Sequence, residues 1–480
     1  MTTLRVTGPI TGGAHGWPMS ASLVDFTAIG YVEEEFFLDG EAPLYRARDE
    51  HLRFDGQWEV DATGVLPFKT RIVVRRPADP ARFNGTVVLV WSNVSMGCDM
   101  VAHDTPEITD EGFAVVIVSA QAVGVHGFSG PHPLGLTVWD AERYGSLHIP
   151  SDDASYGIFS AAAAAVGPTR DTSAVDPLNG LTVERIIATG ASQGAARLHT
   201  YWNAIHPLEK IFDAFLLEVH FGWSTPVLSG TDGRPAGLAD VVAAFQPVTF
   251  LRDDADTPML IVNTETEALT FFPVRRPDTD LFRFWEAAGA THAPLPGMHD
   301  VLGKIQRDWG SVPVAPPAGT GTALNTMDTR PLRDAALHHM QRWLSKGIPP
   351  PSLPPIEIGG QPPTIQRDEH AIALGGIRMP QVAVPLATLR GAGDSNHPLR
   401  ELSGSCEPFT ASTLQGMYAS RSHYLHQIEE AAAAAKSAGF LLERDAIRIR
   451  QDAEQSAAVI PDRSQRQPAA PIAAGEPVKP

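Results

Sequence analysis

One serine of the chain stands between two glycines in "RIIATGASQGAARLHTYW" (185–202), where an apolar β-branched run gives way to a helix-like pattern. Gly-x-Ser-x-Gly at a strand-to-helix turn has a mechanical meaning. The turn is tight, the glycines let neighbouring backbone pass close by, and the hydroxyl of Ser192 is lifted clear of the sheet. The helix starting beneath it turns free N–H groups and the positive end of its dipole toward the same spot. Such a hydroxyl suits attack on a carbonyl carbon, provided that a base takes its proton.

An acid and then a base should follow, in the order Ser…Asp/Glu…His. His292, in "GATHA", leaves the strand-like segment "LFRFWEAAG" (281–289) and fits that order; His299, in "GMHD", is the alternative base. His199 and His206 lie on the helix after the serine and read as packing or surface residues. The acid comes from "PMLIVNTETEAL", where Glu267 is preferred and Glu265 is the alternative. The oxyanion donors would be the backbone N–H of Gln193 and, in the loop after "VVLVW", that of Val94 or Ser95. Cys98 lies near that loop, but with no helix N-terminus behind it the residue reads as a buried small side chain.

The elements around these residues alternate between strand and helix. "PFKTRIVVRRP" and "GTVVLVWSN" read as a strand pair joined by "ADPARFN", and "FAVVIVSAQ" (113–121) as a third strand. Residues 123–152 read as a long loop, 155–166 as a helix, 183–190 as a strand and 194–205 as a helix. "FDAFLLEVH" and "PMLIVNTE" add strands, and "RPLRDAALHHMQRWLSKG" is an amphipathic helix with a Gly stop. The alternation implies a wound, mostly parallel sheet flanked by helices. "IPPPSLPP" (348–355) marks a stiff boundary. The expected organisation is a core over 1–347 with N-terminal strands and lid insertions at about 123–152 and 221–257, a C-terminal extension over 348–460 packed on it, and a disordered tail over 461–480.

The 480 residues carry 37 Lys+Arg against 55 Asp+Glu, a net charge of −18. That balance argues against nucleic acid or an anionic membrane surface as partner. Two cysteines, Cys98 and Cys406, make no disulfide framework and no metal-binding spacing. His423-x-x-His426 and His338-His339 read as surface histidines, so no metal or other cofactor is expected. The start, "MTTLRVTGPITGGAHGW", has Gly and Pro where a signal peptide needs an apolar run, and no apolar segment approaches ~18 residues. The expectation is a cytoplasmic protein, with oligomeric state unread.

Six blocks, "RFNGTVVLVWSNVS", "GFAVVIVSAQAVGV", "LTVERIIATGASQGAARLHTYWNAIHPL", "LIVNTETEA", "PDTDLFRFWEAAGATHA" and "ALGGIRMPQVAVP", together resemble the bacterial alpha/beta hydrolase domain-containing proteins, in that family's order and over residues 5–455. The resemblance implies an α/β-hydrolase fold and a serine hydrolase acting on esters. It puts the nucleophile at Ser192, the acid in the "TETE" block and the base at His292. Family members often carry Asp at the fourth position of that block, where this chain has Glu267, and Met96 stands where a small residue is expected.

The reading is thus a serine hydrolase that cleaves carboxylic esters of small molecules bearing an apolar group, through an acyl-enzyme on Ser192. The alternatives are an acyltransferase or amidase using the same residues, and an inactive hydrolase-fold binding protein. Because the base must start neutral, activity is expected to fall below about pH 6.5. Aromatic residues of the two insertions (His126, His132, Trp139, Tyr144, His148; Phe221, Trp223, Phe245) are the expected pocket lining.

Overall fold

Short runs such as "TVVLVW" are apolar at every position, and only a strand covered on both faces has a use for that. The computed structural model describes residues 4–49, 52–228, 234–310, 323–392 and 401–461. Its nine-stranded sheet comprises β1 (Arg5–Thr7), β2 (Tyr31–Ala47), β3 (Val60–Pro77), β4 (Thr86–Trp91), β5 (Ala114–Val118), β6 (Arg185–Ala191), β7 (Ala214–Glu218), β8 (Met259–Thr264) and β9 (Phe282–Ala287). Their order is β1-β2-β3-β5-β4-β6-β7-β8-β9. The strands from β5 to β9 in that order run parallel, and β1, β2 and β3 add an antiparallel flank.

The period of two sorts each strand between two cores. Val87, Leu89 and Trp91 face one, with Phe159 and Leu198. Val88 and Val90 face the other, with Leu332, Met340, Ile372, Tyr418, Ile428 and Ile449. Residues beyond Pro349 therefore share a core with the sheet. They form two small hairpins and the helices Ala411–Met417, Arg421–Ser437 and Glu443–Ser456. Most of the expected disordered tail, 462–480, lies outside the described residues.

Three expectations change. The strands over 65–92 are not a pair: β5 lies between β3 and β4, antiparallel to the first and parallel to the second. The other partner of β3 is β2, seventeen residues over which the sequence reading set no strand boundaries. The run Glu33-Glu34-Glu35 hides it, because adjacent carboxylates look solvated. Here Arg75 answers Glu33 at 2.7 Å, Arg76 answers Glu34 at 2.5 Å and Arg143 answers buried Glu35 at 2.7 Å. Finally, the segment 123–152 is not a plain loop: short helices occupy Ala122–His126, Leu136–Trp139 and Ala141–Tyr144.

The β2–β3 hairpin is longer than the strand beside it. Val118, the last residue of β5, faces Ile72, so the half of the hairpin before Ile72 runs past the carboxyl edge of the parallel strands. At its tip, Phe54 meets Phe250 edge-on at 5.2 Å and Trp58 stacks over His199 at 5.9 Å. Among the described residues no helix is long and apolar enough to cross a membrane.

Candidate active site

The carboxyl end of β6 hands over to α1 (Gln193–Thr200) through Ser192, whose φ of 57° and ψ of −114° are strained for any residue with a Cβ. The two flanking glycines explain each other. A Cβ on Gly190 would lie 2.9 Å from the carbonyl carbon of Gly194, and a Cβ on Gly194 would lie 2.9 Å from the carbonyl oxygen of Trp91 on β4. Removing both Cβ atoms lets strand, turn and neighbouring strand close up. After one α-helical stretch the helix widens into a π-turn at Tyr201–Ile205, a departure from the plain helix expected over 194–205.

Ser192 and His292 are 100 residues apart, yet their Oγ and Nε2 atoms lie 2.9 Å from each other. His292 Nδ1 lies 2.6 Å from Glu267 Oε1. An ionised carboxylate only accepts, so Nδ1 carries the proton and Nε2 accepts from the serine hydroxyl. The second oxygen of Glu267, a fully buried residue, accepts from the backbone N–H of Thr264 at 2.8 Å and from its hydroxyl at 2.6 Å.

Every residue of "TETE" has a separate task. Thr264 fixes the Glu267 carboxylate. Thr266 Oγ1 accepts the backbone N–H of His292 at 3.0 Å. Glu265, the alternative acid, points elsewhere: Oε2 accepts from Gly289 N–H at 2.9 Å and Oε1 pairs with Arg367 at 2.6 Å. It shapes the turn before His292 without touching the imidazole. The alternative base His299 is an exposed residue on α2 (Leu295–Trp309), and the hydrogen-bonded line from Ser192 to Glu267 runs through His292 instead.

Of the two candidate donors after β4, Ser95 has its N–H engaged by Asn93 Oδ1 at 2.8 Å, which leaves Val94. Asn93 also donates to the carbonyl of Ala191 at 3.1 Å, tying this loop to the residue before the serine. The buried Gln193 side chain donates to Gln121 Oε1 at 2.7 Å, and Gln121 donates to Asp152 at 2.9 Å. The first turn of α1 is thereby anchored to the 123–152 side. Asn93, Gln121, Thr264 and Thr266 were assigned no role at the site from the sequence.

The two insertions meet each other. Arg234 donates to the carbonyls of His126 and Gly127 at 2.7 and 3.0 Å, and Ser129 N–H to that of Pro235 at 2.9 Å. Trp139 and Tyr144, expected to line a pocket, are buried against the N-terminal segment, where Trp139 stacks on His15 at 3.9 Å and Tyr144 donates to Glu35 at 2.8 Å. Phe221 does reach the site, with its ring stacked on His292 at 5.1 Å.

The loop carrying His292 is held by the C-terminal extension. Thr266 Oγ1 donates to Gly391 O at 2.6 Å, Thr291 Oγ1 to Leu402 O at 2.8 Å, and Ala293 N–H to the same carbonyl at 2.9 Å. Buried Asn325 donates to Gly289 O at 2.8 Å and Arg390 O at 2.9 Å, and accepts from Met327 N–H. Replacing Asn325 by alanine leaves buried backbone groups unpaired, a cost of about 1–3 kcal/mol for each group left so. The expected result is a lower denaturant midpoint together with faster hydrogen exchange in residues 288–295.

Other reactive groups are accounted for by packing. Cys98 and Cys406 are both unbridged. Burial, with Asp99 beside it, pushes the Cys98 thiol up to about 12, so it stays protonated. His339 is not a surface residue: it is buried, bonded to Gly439 O at 2.8 Å and edge-on to Trp285. His199 and His206 are buried too; the first bonds His220 at 2.9 Å and the second Thr257 at 2.9 Å. Among the described residues Glu107, Glu111 and His338 come close enough to share a metal ion, but Glu107 is already engaged by His338 at 3.0 Å and by Arg444 at 2.7 Å.

No curated protein matches the sequence significantly. Among solved structures, a prolyl endopeptidase superposes with a TM-score of 0.30 at 14% identity, over 59% of this chain and 38% of that one. The chain thus spans well under half of that protein's length. Brefeldin A esterase, a bacterial homologue of human hormone sensitive lipase, gives 0.25 at 14% identity over 55% and 67% of the two chains. An α/β serine hydrolase without a lid from Xanthomonas campestris gives 0.28 at 12% identity over 58% and 97%. The family model of the alpha/beta hydrolase domain matches residues 6–451. With that match spanning both the sheet and the C-terminal extension, the chain belongs to the alpha/beta hydrolase domain family.

Proposed function

We propose that the protein is a serine hydrolase that cleaves carboxylic esters of small molecules. The observation that carries this reading is the unbroken line from Ser192 Oγ through the His292 ring to Glu267, with spacings of 2.9 and 2.6 Å. In the first step Ser192 Oγ bonds to the ester carbonyl carbon while His292 Nε2 takes its proton. The backbone N–H groups of Gln193 and Val94 receive the oxyanion. Collapse expels the alcohol, protonated by His292, and leaves an acyl-serine. Water then attacks with the same imidazole as base, releasing the acid and restoring Ser192. Glu267 keeps the proton on Nδ1 throughout and offsets the positive ring.

The test is labelling with a fluorophosphonate, which loses fluoride as it phosphonylates an activated serine. Peptide mass mapping should find the adduct on Ser192, and Ser192→Ala should take up none and lose turnover of p-nitrophenyl esters. A protein that stays unlabelled, or is labelled elsewhere, would exclude this reading. Product ratios with and without an added alcohol separate hydrolysis from acyl transfer.

A further inference from the structure

The loop leaving β7 carries three aromatic rings that continue from the imidazole. Phe221 stacks on His292 at 5.1 Å and 26°. Trp223 stacks on Phe221 at 4.5 Å and 18°, and Phe245 on Trp223 at 5.3 Å and 22°. The backbone holds this file in register. Ser224 and Gln246 form a bridge, with Gln246 N–H on Ser224 O at 2.9 Å, which sets Trp223 beside Phe245. Gly222, at a φ of +83°, has only 3.0 Å between its missing Cβ and Val274, so the turn that presents Phe221 and Trp223 is tightly backed.

Core rings in this fold are sealed: Phe271 and Phe284 stack at 5.1 Å with 3% and 4% exposure. Phe221, Trp223 and Phe245 are half-buried, each with more ring surface in solvent than those two. A stack left open to solvent, and touching the residue that faces Ser192, has unsatisfied ring surface next to where an ester carbonyl would sit. Near-parallel rings of this kind favour a further flat ring, through offset stacking or edge contact, over a puckered group of similar size.

We propose that the Phe221–Trp223–Phe245 file is a recognition wall that selects esters with a flat aromatic group on the acyl or alcohol side. This rests on the ester-hydrolase reading of the same site. Two substrate pairs test it. p-Nitrophenyl benzoate and p-nitrophenyl cyclohexanecarboxylate share a leaving group and differ in flatness on the acyl side. Benzyl acetate and cyclohexylmethyl acetate do the same on the alcohol side. Trp223→Leu should lower the flat-to-puckered ratio of kcat/KM about tenfold in one pair, the upper range for a lost ring–ring contact. Phe245→Leu, at the far end of the file, should move the same ratio less and serves if Trp223→Leu does not fold. A ratio unchanged by a folded variant in both pairs overturns the wall alone. If the unaltered protein turns over none of the four esters, the ester-hydrolase reading fails and the wall goes with it.

Discussion

Glu267→Gln should lower kcat by about four orders of magnitude while the protein still folds, because the loss is one of proton placement. Thr264 N–H and its hydroxyl both need an acceptor, and both are served by Glu267 Oε2. A glutamine keeps its carbonyl oxygen there to avoid burying an unpaired N–H. Its amide nitrogen then faces His292 Nδ1, where Oε1 now sits at 2.6 Å. A donor opposite Nδ1 forces the ring proton onto Nε2, and the ring can no longer accept from Ser192. Glu265→Gln is the control, since its partners are Arg367 and Gly289 and the expected loss is far smaller. Steady-state kinetics with an active-site titration would decide, and retention of kcat within tenfold in Glu267→Gln would remove Glu267 from the mechanism.

The second large effect is acid lability of the fold. Burial holds His199 down to about 3 and His206 to about 4, and it puts His220 well below the ordinary 6.5, helped by His199. Between pH 6.5 and those values the unfolded chain binds protons that the folded chain refuses, so stability drops as pH falls. The slope is at most about 1.4 kcal/mol per pH unit for each histidine. Glu286 and Asp334 oppose this. Burial raises them to about 7 and about 6, so the folded form gains protons first as the pH falls. Burial also lowers His126, to about 4, and His339, while it raises Asp213 and Asp445; the histidines outnumber the raised carboxylates, so the expected net direction is a loss of stability between pH 6.5 and 4.5. Below that Glu218, held down to about 2 against its burial by Arg333 and His103, adds to the loss. Urea unfolding at a series of pH values should show the decline. A midpoint flat from pH 7 to 4.5 would contradict it, and His206→Gln should flatten it in part.

The parallel half of the sheet could be read in the sequence because its strands are apolar at every position and the Ser192 turn is punctuated by glycines. β2 could not, since its acidic run is matched by arginines some forty positions later, and no local pattern records a partner at that range. The order β3-β5-β4 was hidden for a related reason: a turn-rich connection reads alike whether the chain returns beside the previous strand or crosses over a neighbour. At the site, chain order was enough to choose Ser192, Glu267 and His292 as candidates. It left Val94 and Ser95 as equal candidates, because the sequence does not record that the Asn93 side chain accepts from the Ser95 N–H. Nor could it reveal that Gly391 and Leu402 hold the histidine loop, because main-chain carbonyls leave no mark in side-chain type.

Those carbonyls impose a schedule on synthesis. Thr266 waits for Gly391, 125 residues later, and Thr291 for Leu402, 111 residues later. A growing chain that has already threaded the serine, the acid and the histidine out of the ribosome still lacks the struts that hold the last of them in place. The loop that carries His292 therefore acquires these two anchors only once residue 402 has been made.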